Sequence, residues 1–184
     1  MGKREQIINA AIRLFVEQGF DNTPTSQISK EAGVATGTLF NYFSTKEELI
    51  NEAYLYVKTN LFEMLSESCR SYISTKEAFE GVWFSLIEWG YNNRMESEFS
   101  RVFVNSVYIT KLTKKRYEEL GGPIRDLMAR GFDEGLFKDV PVELLQNVIG
   151  GVYQGVMNYM YELDELDEKL VASSFDMLWD AISK

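Results

Sequence analysis

The chain has 184 residues, with 19 basic and 28 acidic side chains, a net charge of −9, no histidine and a single cysteine, Cys69. Without histidine and with one thiol it cannot supply the nitrogen and sulfur ligands of a zinc site, a thiol–histidine pair, a serine–histidine triad or an internal disulfide. A hydrophobic fraction of 45% with interspersed charges is that of a globular chain, one large domain or a small one plus a medium one.

The segment MGKREQII has no apolar run of signal-peptide length behind it, so a cytoplasmic location is expected. Apolar residues recur at three and four rather than at two, which predicts an all-α fold of about nine helices. In helix one, about Lys3 to Gln18, Ile7, Ile8, Ala11, Leu14 and Phe15 share a face, and Gly19 follows where a left-handed cap belongs. Pro24 turns Thr23 away from helix, and Thr25 or Ser26 caps a short second helix that carries Ile28 and Ala32 inward before Gly33. A third short helix covers Thr36 to Phe43. Ser44 and Thr45 each have a glutamate three residues on, Glu47 and Glu48, as a capping box requires, and a long helix then keeps an apolar seam past Leu65.

Ser74 with Glu77 forms another capping box for a helix through Trp83 and Trp89 to about Asn93. Helices near 95–111 and 114–136 follow, the second broken or kinked by Gly121, Gly122 and Pro123. Pro141 opens a segment to Tyr161, and an amphipathic helix covers about 167–183. Residues 144–161 carry no charge over 18 positions, but Gln146, Asn147, Gln154 and Asn158 interrupt them, so they read as a buried helix rather than a membrane anchor. Glu162 to Glu168, five acids in seven residues, lack the glycine and spacing of a calcium loop and read as a solvated connection. No cofactor and no metal is expected.

Two short helices joined by a glycine turn behind an amphipathic helix have the geometry of a helix-turn-helix, although a plain helical bundle also contains such pairs. The window from Ile28 to Leu49, ISKEAGVATGTLFNYFSTKEEL, with Ala10-Ala11, Leu14-Phe15 and Gly19-Phe20 upstream, closely resembles the signature of the tetracycline-repressor (TetR) family of bacterial transcription regulators. The likeness covers roughly the first 50 residues and beyond them extends only to helix count and length. It implies a homodimer with two N-terminal reading heads and a divergent C-terminal domain that binds a small effector. Carried over by position, Thr25, Ser26 and Gln27 open the supporting helix, Thr36, Gly37, Thr38, Asn41 and Tyr42 face DNA from the recognition helix, and Lys46 meets a phosphate. Hydroxyls and backbone amides at a helix start suit phosphate oxygens, and glycine permits close approach. Leu39, Phe40 and Phe43 read as core.

Two positions depart from the family pattern. Ala35 stands where a capping serine is common, a loss of about 1 kcal/mol unless Thr36 shifts the cap by one. Phe40 stands where a tyrosine is common. Residues 1–60 hold six basic and seven acidic side chains, so most of the acidity lies beyond them.

The domain boundary is expected at 46/47, with residues 1–46 binding DNA and 47–184 binding effector and partner subunit. The later helices are rich in large polarizable side chains, most of them core. Phe62, Trp83, Leu86, Glu88, Trp89, Phe99, Phe103, Tyr108, Tyr153 and Met157 are candidate effector contacts. Glu88 is a ligand carboxylate beside indole rings, or a group at the solvent edge, or one paired with an arginine such as Arg94 or Arg101. Val148, Gly151, Val152 and Gly155, with Phe175 and Leu178 of the last helix, are candidate dimer contacts, the glycines serving either a partner subunit or an ordinary helix crossing.

The expectation is a ligand-responsive, dimeric regulator, a repressor released from a palindromic double-stranded operator by an apolar or amphipathic small molecule. The reading from another class is a helical carrier or interaction module with a vestigial head. An enzyme is not expected, because no nucleophile–base constellation or phosphate loop is present.

Overall fold

The computed structural model describes residues 2–69 and 74–184. Among them are ten helices and no strand: α1 Lys3–Gln18, α2 Thr25–Glu31, α3 Thr36–Tyr42, α4 Lys46–Ser68, α5 Thr75–Asn92, α6 Arg94–Val104, α7 Lys111–Leu120, α8 Gly122–Asp133, α9 Val142–Leu163 and α10 Glu168–Ile182. An isolated bridge joins Phe137 to Ser183. No helix among the described residues is long and apolar enough to cross a membrane.

The chain forms two compact units: Met1–Asn60 with Asn93–Leu120, and Leu61–Asn92 with Gly121–Lys184. The first unit thus contains residues 1–46, the first part of α4, and the distant α6 and α7. Its core is built from the predicted face of α1, with Ile7, Ile8, Ala11 and Phe15 essentially buried, and from Ile28, Leu39, Phe43, Leu49 and Ile50. Phe99 and Phe103 of α6 complete it. The Phe99 ring lies 6.3 Å from Phe15 and 6.0 Å from Phe20, and Phe103 stacks on Tyr54 at 4.3 Å. Burying one such ring contributes about 1.5–3 kcal/mol, so α6 is integral to this unit.

In the second unit Trp83 and Ile87 of α5, Leu127 and Met128 of α8, Leu145, Met157 and Met160 of α9, and Val171, Phe175 and Leu178 of α10 make one cluster. Gly90 is where α5 and α9 meet: a β-carbon there would strike the Tyr153 hydroxyl and crowd Met157, and the Tyr161 hydroxyl donates to the Gly90 carbonyl at 2.7 Å. Trp83 donates from Nε1 to the Ser174 hydroxyl at 2.9 Å, so its indole N–H is satisfied inside the core.

Several element boundaries differ from the sequence reading. The helix expected over 95–111 ends at Val104, with the Asn105 side chain donating back to the Arg101 carbonyl, and residues 105–110 form a turn. The stretch expected over 114–136 breaks at Gly121–Pro123 as anticipated, with Pro123 at the start of α8 and Gly121 its N-cap, but it begins earlier, at Lys111, and ends at Asp133. The start of α2 needs no hydroxyl cap: Pro24 is its N-cap, and Thr25 is already helical. Gly19 has φ +79° but an extended ψ of 164°, so it is a positive-φ exit rather than a left-handed helical cap. Before α4 the cap is Thr45, whose hydroxyl accepts from the Glu48 N–H at 3.0 Å, while Glu48 accepts from the Ser44 N–H at 2.7 Å. The Ser74–Glu77 box has both its bonds. The acidic run is less of a loop than expected: Glu162 still belongs to α9, Asp164 turns the chain at φ 53°, and Asp167 caps α10 by accepting from Lys169 and Leu170. Cys69 is half-buried against the second core.

Candidate functional site

What α2 and α3 bury determines what they present. Ile28 and Ser29 of α2, Leu39 of α3 and Phe43 just after it turn inward. This leaves Ser26, Thr36, Gly37, Phe40, Asn41 and Tyr42 exposed, and Thr25, Gln27, Thr38 and Lys46 half-buried at the edge of the same surface. Phe40 was expected in the core, but it is 45% exposed, because one turn of a seven-residue helix puts only Leu39 against the core. Phe43 is buried and carries the Arg4 guanidinium over its ring at 5.4 Å.

Hydroxyls hold the two short helices together. Ser29 bonds back to the Thr25 and Ser26 carbonyls and shares a 3.0 Å hydrogen bond with Thr36. Ala35 is the N-cap of α3 without a side-chain bond, so Thr36 does not take over the cap and instead ties α3 to α2. The approach to α2 is anchored by Thr23, wholly buried, which donates to the Gly19 carbonyl at 2.8 Å and lies 3.2 Å from that of Leu14. Gly37 stands apart: a β-carbon there would meet nothing within 4 Å, and its φ is not positive. Neither packing nor backbone conformation of the free protein asks for glycine at this position.

Behind this surface α4 carries Asn51, 6% exposed, whose amide is fully used. Nδ2 donates to the carbonyls of Glu47 and Tyr108, each at 2.9 Å, and Oδ1 accepts from the Thr113 hydroxyl at 2.6 Å and from the Thr110 N–H at 3.3 Å. Tyr108 in turn donates to Asp21 at 2.5 Å, which holds its hydroxyl above the ordinary phenol value, and Glu52 pairs with both Arg4 and Arg116. The sequence reading passed over Asn51, although it begins a stripe that Tyr54 and Leu55 continue three and four residues on. Further along α4, desolvation lowers the Lys58 amine to about 8, with its Nζ 5.5 Å from the Tyr54 ring centre. Burial drives the Tyr54 and Tyr117 phenols upward.

The structure divides the candidate effector residues. Trp83, Leu86, Glu88, Trp89, Tyr153, Met157 and Phe62 belong to the second unit, whereas Phe99, Phe103 and Tyr108 belong to the first. The last three are corrected in placement: their rings are committed to Phe15, Phe20, Tyr54 and Asp21. Trp83 and Met157 are buried, Leu86, Trp89, Phe62 and Tyr153 are half-buried, and Glu88 is exposed. Glu88 rims a cleft of about 480 Å³ along α5 with Glu77, Glu80 and Phe84, while Arg101 pairs with Glu98 instead. A second cleft, about 520 Å³, lies among α1, α2 and α6 beside the Arg13–Glu31 ion pair.

Among the candidate dimer residues Phe175 and Leu178 are only 2% exposed, because α10 turns them into its own unit's core, so they offer no surface to a partner. Gly151 and Gly155 are exposed, Val148 and Val152 half-buried, and Leu144, Tyr159 and, on α10, Met177 add apolar area that is half exposed or more.

A glycine-turned helix pair with an outer face of hydroxyls, an amide and a phenol, followed by a lysine that opens the next helix, defines the reading head of a DNA-binding regulator. Residues 7–53 match the family model described as bacterial regulatory proteins, tetR family. A TetR-family transcription regulator from Shewanella sp. PV-4 is 30% identical, covers all of this chain with all of its own, and superposes with a TM-score of 0.90. The chain belongs to the TetR family and is a transcription regulator rather than an enzyme. It is also 28% identical over 156 residues to the fatty acid metabolism regulator protein of Bacillus subtilis (strain 168), covering 81% of this chain and 78% of that one. The structure of FadR from Bacillus subtilis in complex with stearoyl-CoA shares the fold, with a TM-score of 0.74 at 21% identity over 95% of this chain and 96% of the other.

Proposed function

We propose that the protein is a dimeric repressor that binds a palindromic operator through Thr25, Ser26, Gln27, Thr36, Gly37, Thr38, Asn41, Tyr42 and Lys46, and leaves it when a small amphipathic molecule enters the second unit. The observation that carries the DNA-binding part is Gly37: a glycine that the fold itself does not use, on an exposed face of polar side chains, leaves room for a duplex backbone. Phe62, Trp83, Leu86, Trp89, Tyr153 and Met157 are the effector contacts retained in this reading, with Glu88 at the rim. The fatty acid regulator among the relatives and the stearoyl-CoA held by the solved FadR support a long apolar body for the effector. The second unit holds seventeen acidic side chains against seven basic, which favours a neutral or cationic head over a polyanionic one.

In this reading α4 transmits the signal, since Lys46 belongs to the head and Phe62 to the effector unit. Two heads must fit major grooves about 34–36 Å apart, so an effector that prefers another spacing releases DNA, and operator must weaken effector binding by the same factor. The test selects duplexes from a random pool with the purified protein, then screens fatty acids, their CoA esters, steroids and lipophilic cations by thermal shift. Any ligand found should bind more weakly with saturating operator present; equal affinity with and without it sinks the coupling.

A further inference from the structure

We propose that Lys111 and Lys114, with Lys115 beside them, form a second phosphate-binding surface for duplex DNA, next to the one that Lys46 opens. The inference rests on the DNA-binding reading of the α2–α3 face and deepens it.

In sequence these lysines lie far from the head, yet α7 is part of the first unit. Its direction follows from its partners on α4: Thr110 and Thr113 bond to Asn51, Arg116 pairs with Glu52, and the Tyr117 ring lies 5.9 Å from Tyr54. Partner numbers rise together over about one turn of each helix, so the first turn of α7 lies beside Asn51 on α4 and α7 advances from there in the direction of Tyr54. Asn51 lies five residues, about 7.5 Å of helix rise, beyond Lys46. The lysines that open α7 are therefore roughly one Debye length behind Lys46 at physiological salt.

Thr113, Arg116 and Tyr117 turn toward α4, and Lys111, Lys114 and Lys115 are exposed. Among the described residues Lys111 and Lys114 pair with no carboxylate, and Lys115 has only Glu119 at 3.9 Å. The charge order of α7 also opposes its helix dipole, with lysines in the first turns and Glu118 and Glu119 in the last. Folding alone would favour the reverse order. The first unit holds twelve basic against eleven acidic side chains, and without Lys111, Lys114, Lys115 and Arg116 it would hold eight against eleven. These four residues give the DNA-binding unit its positive sign.

The experiment measures the affinity of wild type, Lys46→Gln and Lys111→Gln/Lys114→Gln for a duplex that the wild type selects from a random pool, across a salt series. Each lost phosphate contact should flatten the plot of log affinity against log salt by about 0.9. The double variant should therefore flatten it by nearly two per bound protomer, keep the wild-type sequence preference, and recover the slope as Lys111→Arg/Lys114→Arg. A double variant that parallels wild type while Lys46→Gln flattens overturns this inference alone. A double variant with unchanged slope but altered sedimentation makes the patch a protein contact and also overturns it. If the wild type selects no duplex, the DNA-binding reading fails and this inference with it.

Discussion

Gly37 lies on the proposed DNA face and serves no close contact or turn of the fold itself. Glycine inside a helix costs roughly 0.5–1 kcal/mol relative to alanine, and here no close contact or positive φ offsets the cost. Gly37→Ala should therefore raise thermal stability by up to about that amount while weakening affinity for a selected duplex. Unfolding curves and duplex titrations of the same preparation check both halves; a stabilised variant with unchanged affinity would remove Gly37 from the interface. Thr36 behaves differently, since its hydroxyl already serves Ser29, and truncating it would disturb the α2–α3 junction as well as any base contact. Phe40, half exposed beside these residues, is an apolar group available to a thymine methyl or a sugar.

Helices far apart in sequence are made into one body by polar groups that no hydrophobic pattern announces. Asn51 joins α4 to the approach and first turn of α7 through three hydrogen bonds in a buried site, and a fourth returns to the Glu47 carbonyl of α4 itself. Removing its amide strands the Thr110 N–H and the Tyr108 carbonyl together and leaves the Thr113 hydroxyl only its 2.8 Å bond to Thr110. Asn51→Ala should accordingly lose on the order of 2–3 kcal/mol, more than a typical single hydrogen bond contributes, because unsatisfied buried groups cost more than a made bond gains. Urea unfolding measures the loss, and hydrogen exchange should show α7 amides opening first. A loss below about 1 kcal/mol would mean that water reaches the site and replaces the amide.

Charge and apolar surface are distributed unevenly between the two units. The first is slightly basic, at +1, while the second, at −10, carries all the excess acid of the chain. On the second unit one stripe of α9, from Leu144 through Gly151 and Gly155 to Tyr159, faces away from the buried Leu145, Met157 and Met160, and Met177 of α10 is 70% exposed. A second copy of the chain is the natural cover in an isologous dimer. Gly151 has open space where a side chain would grow, so Gly151→Trp should leave the protomer folded yet turn the dimer into monomer and reduce duplex affinity. Sedimentation at micromolar concentration checks this; a wild type that sediments as monomer overturns the dimer reading.

The all-helical class, the limits of α1, the capped starts of α4 and α5 and the inward turn of Ile28, Leu39 and Phe43 were legible in the linear chain, whereas the exposure of Phe40 was not. Each depends on residues within a few positions of one another, where periodicity, caps and a dense local motif act directly. The linear chain did not show that α6 and α7 complete the DNA-binding unit, that Phe99 and Phe103 fill its core, or that Phe175 and Leu178 face inward. An aromatic residue at helical spacing says only that some surface must cover it. Which surface does so, and thus whether a ring serves core, effector or partner, depends on long-range packing, in which Asn51, Gly90 and Glu52 meet partners 48 to 71 residues away. The same packing brought Lys111, Lys114, Lys115 and Arg116 into the first unit, whose net charge they change from −3 to +1.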